Sequence, residues 1–289
     1  MGGGKFKHLH DILYFLVHLR RLRRYDAIIA FANPLIGWLA LFKTWGLLHT
    51  RLYTVVHHHV PHMFLFSGYD RIFFLSRQVM ELTRQSHPSL AGKMEHLEWG
   101  PDLPFYESTY QAMQQRTRET PPVLISTGKT SRDLPLMIDA CQELGLHTII
   151  ITDVVQTSLP MTFTAGGKGE NALPGDKMRD LMAQSDISVI PVVAERSKES
   201  LCGLTSFLDA LALGQPIIMS DNTNISVDID ALRIGLTYKA GDKEDFERQV
   251  TYMVEHPAFM DECGRNARKY ALAHSYEHYC RQLLSAMQA

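Results

Sequence analysis

Residues 199–221 read ESLCGLTSFLDALALGQPIIMSD, and this stretch decides the fold. Cys202-Gly203-Leu204-Thr205 is a Gly-containing turn, and 206–213 is a short, nearly all-apolar helix. Gly214 stops that helix, because glycine tolerates the left-handed conformation of a C-cap. Pro216 follows, where a helix cannot continue. Residues 217–219 then read as a buried strand ending in Ser220-Asp221-Asn222. A turn that feeds free N–H groups into a helix N-terminus suits an anion. Thr205 and Ser206 add hydroxyls there. Asp209 follows at i+4 and i+3 from them, so the three share a face. The pattern fits a nucleotide, with its diphosphate on the turn and its ribose hydroxyls on the acid. The plainer reading is a helix-to-strand corner in an α/β core.

The chain has 289 residues, enough for two domains. Hydrophobic residues make up 45% and charged residues 21%, the balance of an ordinary globular protein. A net charge of -2 excludes a global nucleic-acid-binding field. The four cysteines are far apart and form no CxxC pair, which argues against zinc or a disulfide framework and fits a cytoplasmic setting. The start shows no secretory pattern. The longest apolar run, 27–42, contains Asn33, Pro34 and Gly37 and falls short of the about 20 residues that span a bilayer.

Residues 5–24 are helical by apolar spacing and carry Lys5, Lys7, Arg20, Arg21, Arg23 and Arg24 against Asp11 alone. Two readings stand: a peripheral helix lying on an anionic membrane surface, or a packed helix with a basic exposed end. Strands follow at 27–31, 52–56, 71–76 and 95–99, with helices between, the rhythm of a parallel sheet. Residues 106–122 are polar, end in a double proline and read as a linker. A second α/β rhythm starts at Val123. It has strands at 123–126, 147–152, 187–193, 217–219 and 236–239, and helices closing the chain at 243–256, 259–272 and 277–287.

Several clusters could carry chemistry. The loop after 123–126 holds Lys129 and Arg132, two cations at a strand's carboxyl end, where open parallel sheets bind ligands; the alternative is a solvated basic loop. Gly128-Lys129-Thr130 is not a P-loop, since position 123 is Val. His57-His58-His59 end a strand with His62 beyond. Adjacent histidines alternate faces and cannot all converge on a metal, so one of them facing a ligand is the sharper reading. Glu195 and Glu199 could offer a carboxylate to a substrate hydroxyl, or lie on a solvated charged loop. Gly166-Gly167-Lys168-Gly169 reads as a surface loop.

In order, YDRIFFLSRQVMEL, EWGPDLPFY, STGKTSRDLPLMIDA, DLMAQSDISVIPV, GLTSFLDALALGQPIIMSD and GLTYKAGDKEDFERQVTYMVEHPAFMDECGRNARKYA resemble the GT-B glycosyltransferases of family 4 over about residues 26–289. The resemblance implies two Rossmann-like parallel-sheet domains facing a cleft. It implies a reduced N-terminal domain at 1–105, a linker at 106–122 and a nucleotide-sugar domain at 123–276. The closing helix 277–289 would pack back on the N-terminal domain. Only about 25 residues precede YDAIIAF, so the first domain looks shortened relative to the family.

By the same resemblance, Gly128, Lys129 and Arg132 contact the donor diphosphate, and Gly203, Leu204 and Thr205 form the phosphate-facing turn. Asp209 takes the ribose-binding second acid of the family's E-x7-E motif. Glu199 is the nearest first acid, although the in-register position is Leu201. His58 stands near the transferred sugar. The implied activity is retaining, hexosyltransferase-like transfer from a nucleotide-diphosphate sugar to a saccharide or lipid-linked acceptor in polysaccharide biosynthesis. The implied site needs no metal or other cofactor. The alternatives are a degenerate GT-B protein that binds a nucleotide sugar or a partner protein, and a GT-B epimerase.

Overall fold

The computed structural model describes residues 4–31, 37–59, 64–128, 130–152, 175–193, 200–221 and 224–288. The chain divides into two compact units, residues 1–98 with 282–289, and residues 99–281.

In the first unit, helix α1 (Gly4–Leu22) precedes strand β1 (Ala27–Ala30), helix α2 (Gly37–Thr44), β2 (Arg51–Val56), β3 (Arg71–Phe74), α3 (Arg77–Ser86) and β4 (Met94–His96). Among the described residues, the four strands pair in parallel in the order β1-β2-β3-β4. Ala27 lies opposite Arg51, Tyr53 opposite Arg71 and Ile72 opposite Met94. Ser76 caps α3, its side chain accepting from the Val79 N–H. The core is built from Leu39, Phe42, Leu52, Tyr69, Ile72 and Phe74. One stripe of α1, Ile12, Phe15, Leu19 and Leu22, packs against it at helical spacing. The closing residues return to this sheet: the Tyr53 hydroxyl donates to the Met287 carbonyl at 2.7 Å.

The second unit begins with α4 (Leu103–Gln115) and continues through β5 (Leu124–Thr127), α5 (Leu134–Glu143), β6 (Thr148–Ile151), α6 (Gly175–Ala183), β7 (Ile187–Ile190), α7 (Leu204–Leu213), β8 (Ile217–Ser220) and β9 (Gly235–Tyr238). Helices α8 (Lys243–Glu255), α9 (Pro257–Ala273) and α10 (Tyr276–Gln288) complete the chain, the end of α10 grouping with the first unit. The parallel strand order is β6-β5-β7-β8-β9. β5 to β8 are buried along their whole length, as strands covered on both faces must be. Leu124 and Val189 face one layer with Met137, Phe246 and Val250. Ile125 and Ile151 face the other with Tyr106, Met182 and Leu213.

The linker expected at 106–122 is instead largely α4. Asp102 caps it by accepting from the Phe105 N–H, and Pro104 sits in the first turn. Tyr106 and Thr109 are buried, and Leu103 and Met113 pack on the same core. The polar residues of this segment hid an apolar stripe at 103, 106, 110 and 113. The unit boundary accordingly falls at 98/99 and not at 105.

The chain enters and leaves the second unit at one place. The Tyr276 N–H donates to the Pro101 carbonyl at 2.9 Å. A Cβ at Gly100 would lie 1.9 Å from the His274 carbonyl oxygen, so only glycine permits this approach.

Candidate functional site

From β5 the chain goes to β6 on one side, then crosses back to β7 on the other. The strand order therefore reverses between β5 and β7, and the crevice at their carboxyl ends is where such sheets bind ligands. Two segments meet there: residues 128 and 130–133 after β5, and the start of α7.

The first segment folds back on the end of β7. The Asp133 N–H donates to the Pro191 carbonyl at 2.7 Å, and the Val193 N–H to the Ser131 carbonyl at 3.0 Å. Gly128 has φ +106 and lies under the Arg132 guanidinium, so that a Cβ there would fall 2.4 Å from Nη2. Arg132 donates from Nε to the Thr127 carbonyl (3.2 Å), from Nη1 to the Thr130 carbonyl (2.9 Å) and from Nη2 to the Ser206 hydroxyl (2.9 Å). Ser206 in turn donates to the Thr127 carbonyl (2.9 Å) and accepts from the Thr127 hydroxyl (3.0 Å). All three acceptors of Arg132 are neutral, and it forms no ion pair among the described residues. Burial pushes its pKa down, yet a guanidinium stays charged in proteins. The loop thus holds a half-buried cation that no described residue neutralises, a setting that favours an anion.

Gly128→Ala tests this arrangement. The new methyl adds left-handed strain of about 1–3 kcal/mol. It also drives Arg132 off Ser206, so anion affinity is expected to fall at least tenfold while the protein still folds. Calorimetric titration alongside thermal unfolding checks both parts.

The second segment is the N-terminus of α7. Gly203 is the N-cap, at φ +88, with no side-chain cap. The Leu204 N–H bonds to the Leu201 carbonyl (3.3 Å), whereas the N–H groups of Thr205 and Ser206 have no partner among the described residues. These amides and the helix dipole favour an anion. Two sequence expectations change here. Leu204 is 7% exposed and its amide is occupied, so it serves the core. Ser206 is buried, and its proton holds the Arg132 loop and is not free for a ligand.

Helix α7 is buried on nearly every side, which its apolar sequence requires. Only Thr205 and Asp209, at i and i+4, are left partly open. Asp209 accepts a 2.6 Å hydrogen bond from the Tyr106 hydroxyl of α4. Burial pushes its carboxyl up to about 6, and the Tyr106 bond opposes the rise. Burial and the adjacent Asp209 keep Tyr106 protonated. Thr205 and Asp209 open into a cavity of about 290 Å³ whose other walls are mainly Trp99, Phe105, Tyr106 and Tyr276. Sequence reasoning missed these aromatic walls. The signal was the helical spacing of Tyr106 within a segment read as linker.

His58 lies in the first unit, just after β2. The His57 Nε2–H donates to the Phe31 carbonyl at 2.7 Å. The Thr83 hydroxyl proton goes to the Val79 carbonyl, so His59 Nδ1 must donate to that oxygen at 3.3 Å. His58 is the exposed member of the three, and its ring has no hydrogen-bond partner among the described residues. Burial and His57 lower its pKa, which favours a neutral imidazole. No group of three His, Cys, Asp or Glu among the described residues is placed to hold a metal. Lys129, His62, Glu195, Glu199 and the glycines 166–169 lie outside the described residues.

No family model matches the chain, and no curated protein matches it. Solved structures do. A glycosyltransferase from Rickettsia africae superposes with a TM-score of 0.76 at 12% identity, over 100% of this chain and 82% of that one. A sucrose-phosphate synthase from Thermosynechococcus elongatus gives 0.72 at 13%, over 96% and 76%. The fold is GT-B. Anabaena HepE, solved in complex with UDP, gives 0.68 at 12% identity, over 94% of this chain and 81% of that one. Of the GT-B positions named from sequence, Gly128, Arg132, Gly203, Thr205 and Asp209 gather at one end of the second sheet. Leu204 turns into the core, and the GT-B candidate His58 belongs to the first unit.

Proposed function

We propose that this GT-B chain is a glycosyltransferase that moves a sugar from a nucleotide-diphosphate sugar to a saccharide or lipid-linked acceptor, with retention at the anomeric carbon. The observation that carries this is the Arg132 charge, without a counter-ion among the described residues, beside amides at the start of α7 that have no partner among them. Those groups would neutralise the diphosphate as the sugar leaves it, the point at which negative charge grows. Lys129, three residues before Arg132, would add a second cation. The Asp209 carboxylate would hold the ribose hydroxyls within the cavity it shares with Tyr106. Attack from the leaving-group face requires no protein nucleophile, and none is assigned. No cofactor is assigned a step either. The UDP complex of HepE supports a nucleoside diphosphate as ligand.

A second reading rests on one position. The residue eight before Asp209 is Leu201, where the family motif has its first acid. A chain without that carboxylate would bind nucleotide sugar and not transfer it.

Calorimetric titration with UDP, GDP and ADP, then turnover of the matching sugar conjugates in EDTA, separates the readings. Micromolar binding of one nucleotide with sugar release or transfer is the expected result. Binding without turnover favours the second reading. Binding of none by folded protein overturns both.

A further inference from the structure

Helix α1 has two apolar faces, and among the described residues one of them packs on the core. Ile12, Phe15, Leu19 and Leu22 pack on the first core. The opposite side exposes Leu13 (54%), Leu16 and Val17 (77%), with Tyr14 beside them. Helical spacing continues this outward stripe into Arg20 and Arg24, with Arg21 alongside; all three are exposed and make no hydrogen bond or ion pair among the described residues. Arg23 behaves differently: it donates twice to the Leu47 carbonyl, at 2.9 and 2.7 Å, and ties the helix end to the chain after α2. Two residues before Leu47, Trp45 is 62% exposed. No Asp or Glu occurs between positions 12 and 25.

The charge of the unit points the same way. The chain's net -2 conceals a division between its units. The first has 12 Lys and Arg against 6 Asp and Glu, hence +6; the second has 17 against 25, hence -8. No helix among the described residues is long and apolar enough to cross a membrane.

We infer that the outward face of α1, with Trp45, docks the protein on an anionic lipid bilayer. Aliphatic side chains enter the acyl boundary, the tryptophan sits at headgroup level, and unpaired arginines meet lipid phosphates. A protein partner fits less well. Its arginines have no acceptors among the described residues to hold them in the fixed pattern that would give one partner specificity. This inference is independent of sugar transfer, since the surface lies on the first unit and uses none of the donor-site residues.

The test is co-sedimentation of the full chain with vesicles of phosphatidylcholine, alone or mixed with phosphatidylglycerol. The expected result is binding to the mixed vesicles only, weakening as salt rises. At roughly fivefold per arginine, the triple variant R20Q/R21Q/R24Q should bind about 100-fold more weakly. Val17→Asp should bind weakly as well. Both variants change exposed side chains and should keep the wild-type unfolding temperature and nucleotide affinity. Equal binding to neutral vesicles, no binding by folded protein, or an unaffected triple variant would overturn the inference. So would a concentration-dependent dimer, seen by sedimentation velocity and broken by Val17→Asp, in place of vesicle binding.

Discussion

Arg132→Ala is expected to lower kcat/KM for the sugar donor by about 100- to 1000-fold, which corresponds to about 3–4 kcal/mol of lost transition-state stabilisation. Wild-type Arg132 is already positioned by Thr127, Thr130 and Ser206 before any ligand arrives. It therefore needs little reorganisation to receive the departing diphosphate. The substitution should not unfold the protein. It removes a half-buried charge that has no counter-ion among the described residues and leaves Ser206 still bonded to Thr127. Arg132→Lys should recover only part of the activity, because one ammonium cannot reach three acceptors set in a guanidinium's plane. Donor kinetics beside thermal unfolding give the answer. Wild-type kcat/KM in the alanine variant would remove Arg132 from the site.

The second large effect is a pH dependence at Asp209. Its carboxyl is raised from 3.8 to about 6, first by burial. A neutral carboxyl makes a poor acceptor for ribose hydroxyls, so nucleotide affinity should fall about tenfold per unit as the pH drops below about 6. Asp209→Asn should lose affinity at pH 8 and show little pH dependence. Tyr106→Phe deletes the hydrogen bond that lowers the Asp209 pKa, so its break-point should lie above that of the wild type. A purely structural tyrosine would leave the break-point in place.

Stability should move in the opposite sense. The folded pKa lies above the unfolded one, so the folded state holds the proton more tightly, and stability declines as pH rises from about 4 to 6. The ionised Asp209 then costs about 3 kcal/mol at neutral pH. Asp209→Asn should be more stable than the wild type at pH 8 and no more stable near pH 4. Titration and unfolding at the two pH values read both signs. Equal stability differences at both would sink the assignment.

Much of the fold was legible in the sequence because parallel strands buried on both faces leave apolar runs, as at Ile149–Ile151 and Ile217–Ile218. Gly214 marked the end of α7 correctly, at φ +61. What failed was a helix with a narrow buried stripe. Tyr106 and Thr109 face the core while Glu107, Ser108, Gln111, Gln114 and Gln115 face outward, and composition outweighed spacing. In the site, residue types were readable and directions were not. Thr205 and Ser206 are adjacent hydroxyls on one helix, but a turn of about 100° sends the first to the cavity and the second into a closed network under Arg132. The choice among His57, His58 and His59 likewise depended on which rings the surroundings engage, and sequence carries no record of that.

The meeting of Pro101 with Tyr276 has an architectural consequence. Residues 99–281 form an insert whose entry and exit share one hydrogen bond and one close backbone contact. Chain ends that lie together make a module portable. A segment cut at these two points should fit a surface loop of another protein with a short spacer. The contact is in effect a cassette boundary, and a circular permutation opened elsewhere could close the chain across it.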